Sequence, residues 1–181
     1  LDLDLDITWS CEARLDTFKN DDDLRLMAAV GLRYIITGIE ASDEVLLRKN
    51  LRRPIPKDDA IRKLAVLEDN GVIVQTNYIV GFPEENEKSV YETLDYAKTL
   101  NSMFATFHVF TPQPGTKIFS DYHDRLLGLD WEDYNYSNLV WEHDTLSRTF
   151  LETIVSNSYS SYYFRFEWFR KHAMTLAKLV I

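Results

Sequence analysis

Residues 72–84 read VIVQTNYIVGFPE. The first nine carry no charge and are dominated by Val, Ile and Thr, so they form a strand; Gly81-Phe82-Pro83 then turns the chain sharply. The run is apolar on both faces, the mark of a parallel strand covered by helices. Gln75 and Asn77 alternate with apolar neighbours, so one of them points into the lumen if the sheet curves into a barrel. Three similar runs, at residues 7–11, 33–39 and 104–110, place strand starts near 7, 33, 72 and 104.

Helical signals fill the intervals. Asn20 caps a helix that opens on Asp21-Asp22-Asp23 and stops at Gly31. Ser42 precedes a short acidic-to-basic helix ending near Lys49. Pro56 opens a helix with Ile61, Leu64, Ala65 and Leu67 on one face, ended by Asn70-Gly71. Residues 87–100 repeat the scheme with Val90, Leu94 and Ala97. Three right-handed βα units follow, in either a doubly wound sheet or part of a (βα) barrel. From Thr111 the pattern changes: residues 111–116, TPQPGT, form a rigid loop, and residues 126–141 are irregular and aromatic. Asp144 caps a helix over 145–164, and a last helix over 166–179 carries Trp168, Phe169, Ala173, Leu176 and Leu179. The expected division is 1–119 for the βα part and 120–181 for an aromatic helical extension on the same domain. The Leu-Asp alternation of residues 1–6 has the period of a strand.

The 181 residues are 45% hydrophobic and 13% aromatic, enough for a real core. A net charge of −9 argues against nucleic-acid partners. The basic cluster Arg48-Lys49 with Arg52-Arg53 fits a helix C-terminus. No run suits a membrane span. Cys11 is the only cysteine, which excludes an internal disulfide framework; a reducing, cytoplasmic setting is expected.

Ligands of parallel α/β folds sit beyond the C-terminal strand ends. There the sequence delivers Cys11, Glu12 and Arg14; Thr37, Gly38 and Glu40; Asn77, Gly81 and Glu84; and His108 and Thr111. Glu40 suits a ribose diol or an amino group, or else caps the next helix. Gly81 lets backbone approach a flat ligand, or simply turns. Arg14 forks onto a carboxylate or makes a structural ion pair. His108 is a general base, a substrate contact or a satisfied core histidine, and Cys11 is apolar filler. No spacing suggests a protein metal site or a nucleophile triad.

Taken in order, these motifs resemble the radical S-adenosylmethionine (radical SAM) superfamily, in the branch that often carries a cobalamin domain. The resembling stretches are ITWSCEARLD (7–16), LRYIITGIEASDEVLLRKN (32–50), VIVQTNYIVGFPEENEKSVYETLDYAKTLN (72–101), FHVFTPQPGTKIF (107–119) and SYYFRFEWFRKH (161–172). The resemblance implies strands three to six of a partial (βα)6 barrel. It puts Glu40 near the S-adenosylmethionine ribose and Arg14 near the cofactor. It matches Asn77 to Glu84 to a GxIxGxxE motif around adenine, in which Ile79, Gly81 and Glu84 fit and Asn77 replaces a glycine. His108 and Thr111 are assigned to substrate.

The family's CxxxCxxC loop for a [4Fe–4S] cluster is missing, so the chain is expected to be an inactive portion of a larger enzyme. That parent would cleave S-adenosylmethionine to a 5′-deoxyadenosyl radical for methyl transfer or oxidative ring chemistry on a small molecule, with cobalamin possible. Two other readings stay open: a metabolic half-barrel using Glu40, Glu84 and His108 as acid–base groups, and a non-catalytic dimerising module. The first strand's open edge is expected to pair with a second copy or to lie under the chain's own C-terminal helices.

Overall fold

The computed structural model describes residues 6–128 and 130–179. Four strands form one parallel sheet in chain order: β1 (Trp9–Glu12), β2 (Leu32–Glu40), β3 (Ile73–Val80) and β4 (Phe104–Val109). Helices α1 (Asp21–Ala29), α2 (Glu44–Lys49), α3 (Lys57–Asp69) and α4 (Glu87–Leu100) lie between them. This is the four-stranded partial βα barrel that the sequence implies. The Leu-Asp alternation lies, but for Asp6, outside the described residues. No helix among the described residues is long and apolar enough to cross a membrane.

Local chemistry sets the helix starts. Asn20 accepts from the Asp23 amide at 2.9 Å, and Asn86 and Ser89 form a reciprocal capping box. Three further helices follow: α5 (Lys117–Asp121), α6 (Arg148–Tyr163) and α7 (Phe166–Leu179). The short α5 had no clear sequence signal; Thr116 caps it through the Phe119 amide. Helix α6 is capped by Ser147 rather than Asp144, because the His143 ring takes the amides of Thr145 and Leu146 first.

The strands are not alike on both faces. Along β3, Val74, Thr76, Tyr78 and Val80 are buried under helices, whereas Ile73, Gln75, Asn77 and Ile79 are half-buried on the other face. β4 alternates in the same way. The second face is concave and lined with polar groups, so it takes no helix. In α3 the buried face is Ala60, Lys63, Leu64 and Leu67, while Ile61 and Ala65 are exposed. Lys63 replaces an apolar residue there because its ammonium reaches the Leu15 carbonyl at 2.8 Å and Asp59 at 2.9 Å. In α7, Trp168 and His172 are buried one turn apart, and Phe169 and Ala173 face outward; the Leu179 side chain lies outside the described residues. Residues beyond 119, among them Trp141, Leu151 and Tyr162, join the same hydrophobic cluster as the strands.

The two sheet edges differ. At β4, tyrosines of α6 stand where a fifth strand would. The Tyr163 hydroxyl donates to the Ala105 carbonyl at 3.1 Å and accepts from its amide at 2.9 Å. Tyr159 does the same at Phe107, at 3.4 and 3.3 Å. The Val109 amide donates to the Tyr136 carbonyl. No described strand pairs with the outer edge of β1. The side-chain hydrogen bonds of α6, α7 and Arg165 between them reach β4, the turn before it and α4, and Lys171 pairs with Glu68 of α3. The C-terminal helices therefore do not cover β1, because β4 has claimed them.

Removing the Tyr163 hydroxyl strands a half-buried strand amide and carbonyl. Tyr163→Phe is expected to lower stability in urea unfolding by about 1–3 kcal/mol, and Tyr159→Phe by less because its bonds are longer. Unchanged midpoints in both variants would mean that these hydroxyls do not serve the edge.

Candidate functional site at the carboxyl ends of the strands

A cavity of about 570 Å³ opens where the strands end. That is a size suited to a cofactor or small substrate. Each strand contributes: Glu12 and then Arg14 from β1, Gly38 and Glu40 from β2, Asn77 and Ile79 from β3, His108 and Val109 from β4. Arg52, Gln113, Ile118 and Tyr136 close the sides.

Of the residues singled out in the sequence, Arg14, Glu40, Asn77, Ile79, His108 and Thr111 come together here. Gly81 and Glu84 do not border the cavity. At Gly81 the chain leaves β3 with φ +85°, a conformation that favours glycine, and Leu151 of α6 covers the space where a Cβ would be, 2.9 Å from its Cδ1. Glu84 is exposed and accepts from Asn50 Nδ2 at 2.9 Å. Cys11 is partly buried against the core and lies outside the lining.

Glu40 is the most constrained member. It sits at a break in the β2–β3 register with φ +72°, an uncommon backbone for a residue with a side chain. One carboxylate oxygen, Oε1, lies 3.6 Å from Arg52 Nη1. The other, Oε2, is buried without a hydrogen-bond partner. Gly38 makes room for this carboxylate: a Cβ there would lie 2.5 Å from Oε1. Arg14 makes the structural ion pair, with Asp16 at 2.9 Å, and donates to the Arg53 carbonyl at 2.7 Å while still bordering the cavity. Desolvation pushes the His108 pKa below its usual 6.5, so the ring is neutral at pH 7.

The sequence reading missed four residues. Arg52, whose place in a basic cluster fits a helix end, turns to Glu40 instead. Gln113 belongs to the TPQPGT loop, lines the cavity and has an Nε2 buried without a partner. Tyr136 came from a stretch with no periodicity. Glu85, beside the Glu84 that the motif points to, is the buried member of the pair. Its Oε2 accepts from the amides of Gly81 at 2.6 Å and Phe82 at 2.9 Å. Burial raises its pKa to about 7, against the lowering effect of those two bonds. The turn is gripped from the other side by His143, whose Nε2 meets the Phe82 carbonyl at 2.9 Å. Because His143 Nδ1 accepts two amides, the ring proton is on Nε2.

No group of His, Cys, Asp and Glu among the described residues is placed to hold a metal ion. The sequence pattern of the radical SAM superfamily matches residues 1–97. This chain belongs to the radical SAM superfamily. Among its relatives in the superfamily is an anaerobic magnesium-protoporphyrin IX monomethyl ester cyclase of Rubrivivax gelatinosus, 26% identical over 156 residues, covering 85% of this chain and 28% of the relative. An uncharacterized methyltransferase of Pyrococcus horikoshii is 26% identical over 163 residues, covering 89% and 35%. The chain thus spans about a third of the length of these relatives. Coproporphyrinogen III oxidase from Escherichia coli, a radical SAM enzyme, shares the fold with a TM-score of 0.61 at 18% identity, over 86% of this chain and 33% of that one. A radical S-adenosylmethionine methyltransferase from Kitasatospora setae, solved with cobalamin and a [4Fe–4S] cluster, matches with a TM-score of 0.55 at 18% identity, over 62% and 22%.

Glu85 gives the radical SAM chain a titratable pin. The folded state holds its proton up to about pH 7, the unfolded chain only to about 4.5. The folded state binds more protons between these values, so this stabilisation is full below pH 4.5 and lost as pH rises through 7, by up to about 3 kcal/mol. His108, His143 and His172, all lowered by desolvation, tilt stability the other way below pH 6.5. The Glu85 effect is therefore the difference between the native chain and Glu85→Gln in thermal unfolding from pH 5 to 8. The variant is expected to lose the decline between pH 5 and 7, above which both chains level off; an identical pH profile would mean that Glu85 does not titrate in this range.

Proposed function

We propose that these residues form the nucleoside-binding side of a radical SAM enzyme that carries out methyl transfer or ring formation on a small molecule. The observation that carries this reading is Glu40. Its buried Oε2 has no donor, and a buried carboxylate oxygen left unpaired costs about 1–3 kcal/mol or more. A ribose diol offers the O–H donors that would satisfy it. Gly38 keeps the space beside the carboxylate clear, and Asn77 and Ile79 offer a flat wall on the next strand. The residues present therefore fit the nucleoside of S-adenosylmethionine.

They do not fit a [4Fe–4S] cluster. Cys11 is the only thiol in 181 residues, whereas the family's cluster loop uses three. Cluster ligands would have to come from elsewhere in the enzyme, and no step through the cluster is assigned to these residues. Nor does the donor set pick out cobalamin. S-adenosylmethionine, when bound, would be the source of the radical, its electron coming from a cluster held elsewhere in the enzyme; this chain's residues bind and orient it and limit water. Glu40 accepts from the ribose and stays paired with Arg52. Ile79, Phe110 and Ile118 give the cavity apolar wall, and Thr111 is held there by its bond to the Val109 carbonyl at 2.9 Å. Relatives that act as cyclases and methyltransferases support the reaction class. The acid–base alternative asks Glu84 and His108 to meet one substrate, yet Glu84 lies outside the cavity. The carboxylate with the raised pKa, Glu85, is spent on the Gly81 turn.

Titrating the chain with S-adenosylmethionine by calorimetry tests the reading. Glu40→Gln is expected to weaken binding about tenfold, the loss of one charge-assisted hydrogen bond, and Cys11→Ala to change it little. Absent binding, or equal affinities in both variants, would remove Glu40 from the nucleoside site.

A further inference from the structure

The concave face of the sheet carries a chain of hydrogen bonds that nucleoside binding does not use. The Tyr34 hydroxyl of β2 donates to Gln75 Oε1 of β3. Gln75 Nε2 donates to Asn77 Oδ1 at 3.1 Å. From the other side Thr106 Oγ1 of β4 donates to the same Asn77 oxygen at 2.7 Å. Thr106 has one hydroxyl proton, and it goes to Asn77. Toward His108 Nε2, 3.2 Å away, Thr106 can therefore only accept, and the imidazole must be the donor. His108 lines the cavity, and its Nδ1 has no hydrogen-bond partner among the described residues. The hub is Asn77, at the position where the resemblance implies a glycine.

We infer that Asn77 and Thr106 are positioning residues that hold His108 with its proton on Nε2, so that Nδ1 faces the cavity as an acceptor for a substrate bearing an O–H or N–H group. Gln113 lines the same cavity, and its Nε2, buried without a partner, is the donor nearest to hand once the side chain turns inward. Together they suit a substrate with a protic group beside a carbonyl, such as an amide, a lactam or a carboxylic acid. This deepens the reading above and rests on it only for the cavity being the place where substrate binds.

The test is imidazole nitrogen NMR on the 15N-histidine-labelled chain at pH 7.5, with His108 assigned by the loss of its signals in His108→Gln. The expected spectrum has a pyrrole-type shift at Nε2 and a pyridine-type shift at Nδ1. Thr106→Val is expected to mix the tautomers, and Thr106→Ser, which restores a hydroxyl, to return the native pattern. His143, fixed by two backbone amides, should keep its tautomer in every variant. Added acetamide, which has N–H groups and a carbonyl, should move the Nδ1 signal upfield; N,N-dimethylacetamide, which has no N–H, should leave it in place. A proton on Nδ1 in the native chain would mean that the bond chain runs with the opposite polarity and would overturn the inference. So would an unchanged tautomer in Thr106→Val, or an Nδ1 signal that responds to both amides alike or to neither. None of these readouts depends on Glu40. A chain that binds no S-adenosylmethionine can still show the tautomer, and a chain that binds it can still lack it.

Discussion

A buried carboxyl group holds the turn on which both halves of the molecule meet. Glu85 takes two consecutive backbone amides at the end of β3, where the chain has turned out of the sheet and those donors have lost their strand partners. The extension closes over the same spot: Leu151 covers Gly81, His143 binds the Phe82 carbonyl, and the Thr145 hydroxyl reaches the Glu85 carbonyl. A segment that carries no strand is thereby fastened to the centre of the sheet by polar groups, with the aromatic packing of Trp141, Phe82 and Phe110 around them. The exit direction of β3, and with it the wall presented by Asn77 and Ile79, follows from this fastening.

The βα skeleton was legible because its signals are local. Runs of Val and Ile, caps at Asn20 and Asn86, and stops at Gly31 and Asn70-Gly71 each need only a few neighbours to be understood. What failed depended on where side chains turn in three dimensions, whether toward a distant partner or a near one. Ile61 looks like core by spacing, but Lys63 takes the buried place because a carbonyl 48 residues away receives its ammonium. Asp144 looks like a cap, but an adjacent histidine occupies the amides. Within the motif GFPEE, nothing local distinguishes Glu84 from Glu85; only the direction in which the turn folds back makes one exposed and the other buried. Of the site, residues on the strands were found by register alone, whereas Arg52, Gln113 and Tyr136 arrive on irregular segments that carry no period to read.

The two faces of the sheet divide the work. The helix-facing side is fully buried and almost entirely apolar, although Thr37 and Tyr78 leave hydroxyls there without partners. The concave side is where polarity is concentrated, and nearly every polar group on it is bonded to another. The residues on it with an atom left over, Glu40, Gln113 and His108, all line the cavity. Satisfied polar networks are rigid, so these groups are presented from a surface with little freedom to rearrange around a ligand.

The tyrosine edge of β4 amounts to a problem in commensurate lengths. Four residues of a helix rise about 6 Å and two residues of a strand about 6.6 Å, so hydroxyls one helical turn apart fall almost in step with every second rung of a strand. Tyr159 and Tyr163 use that coincidence at Phe107 and Ala105, running antiparallel to the strand. The coincidence is imperfect, and the offset grows with each rung. One turn earlier α6 carries Val155, a buried apolar residue, and the next rung, at Val109, is met by a loop carbonyl instead. A helix can stand in for a strand over about two rungs, which suits a strand of six residues and would fail for a longer one.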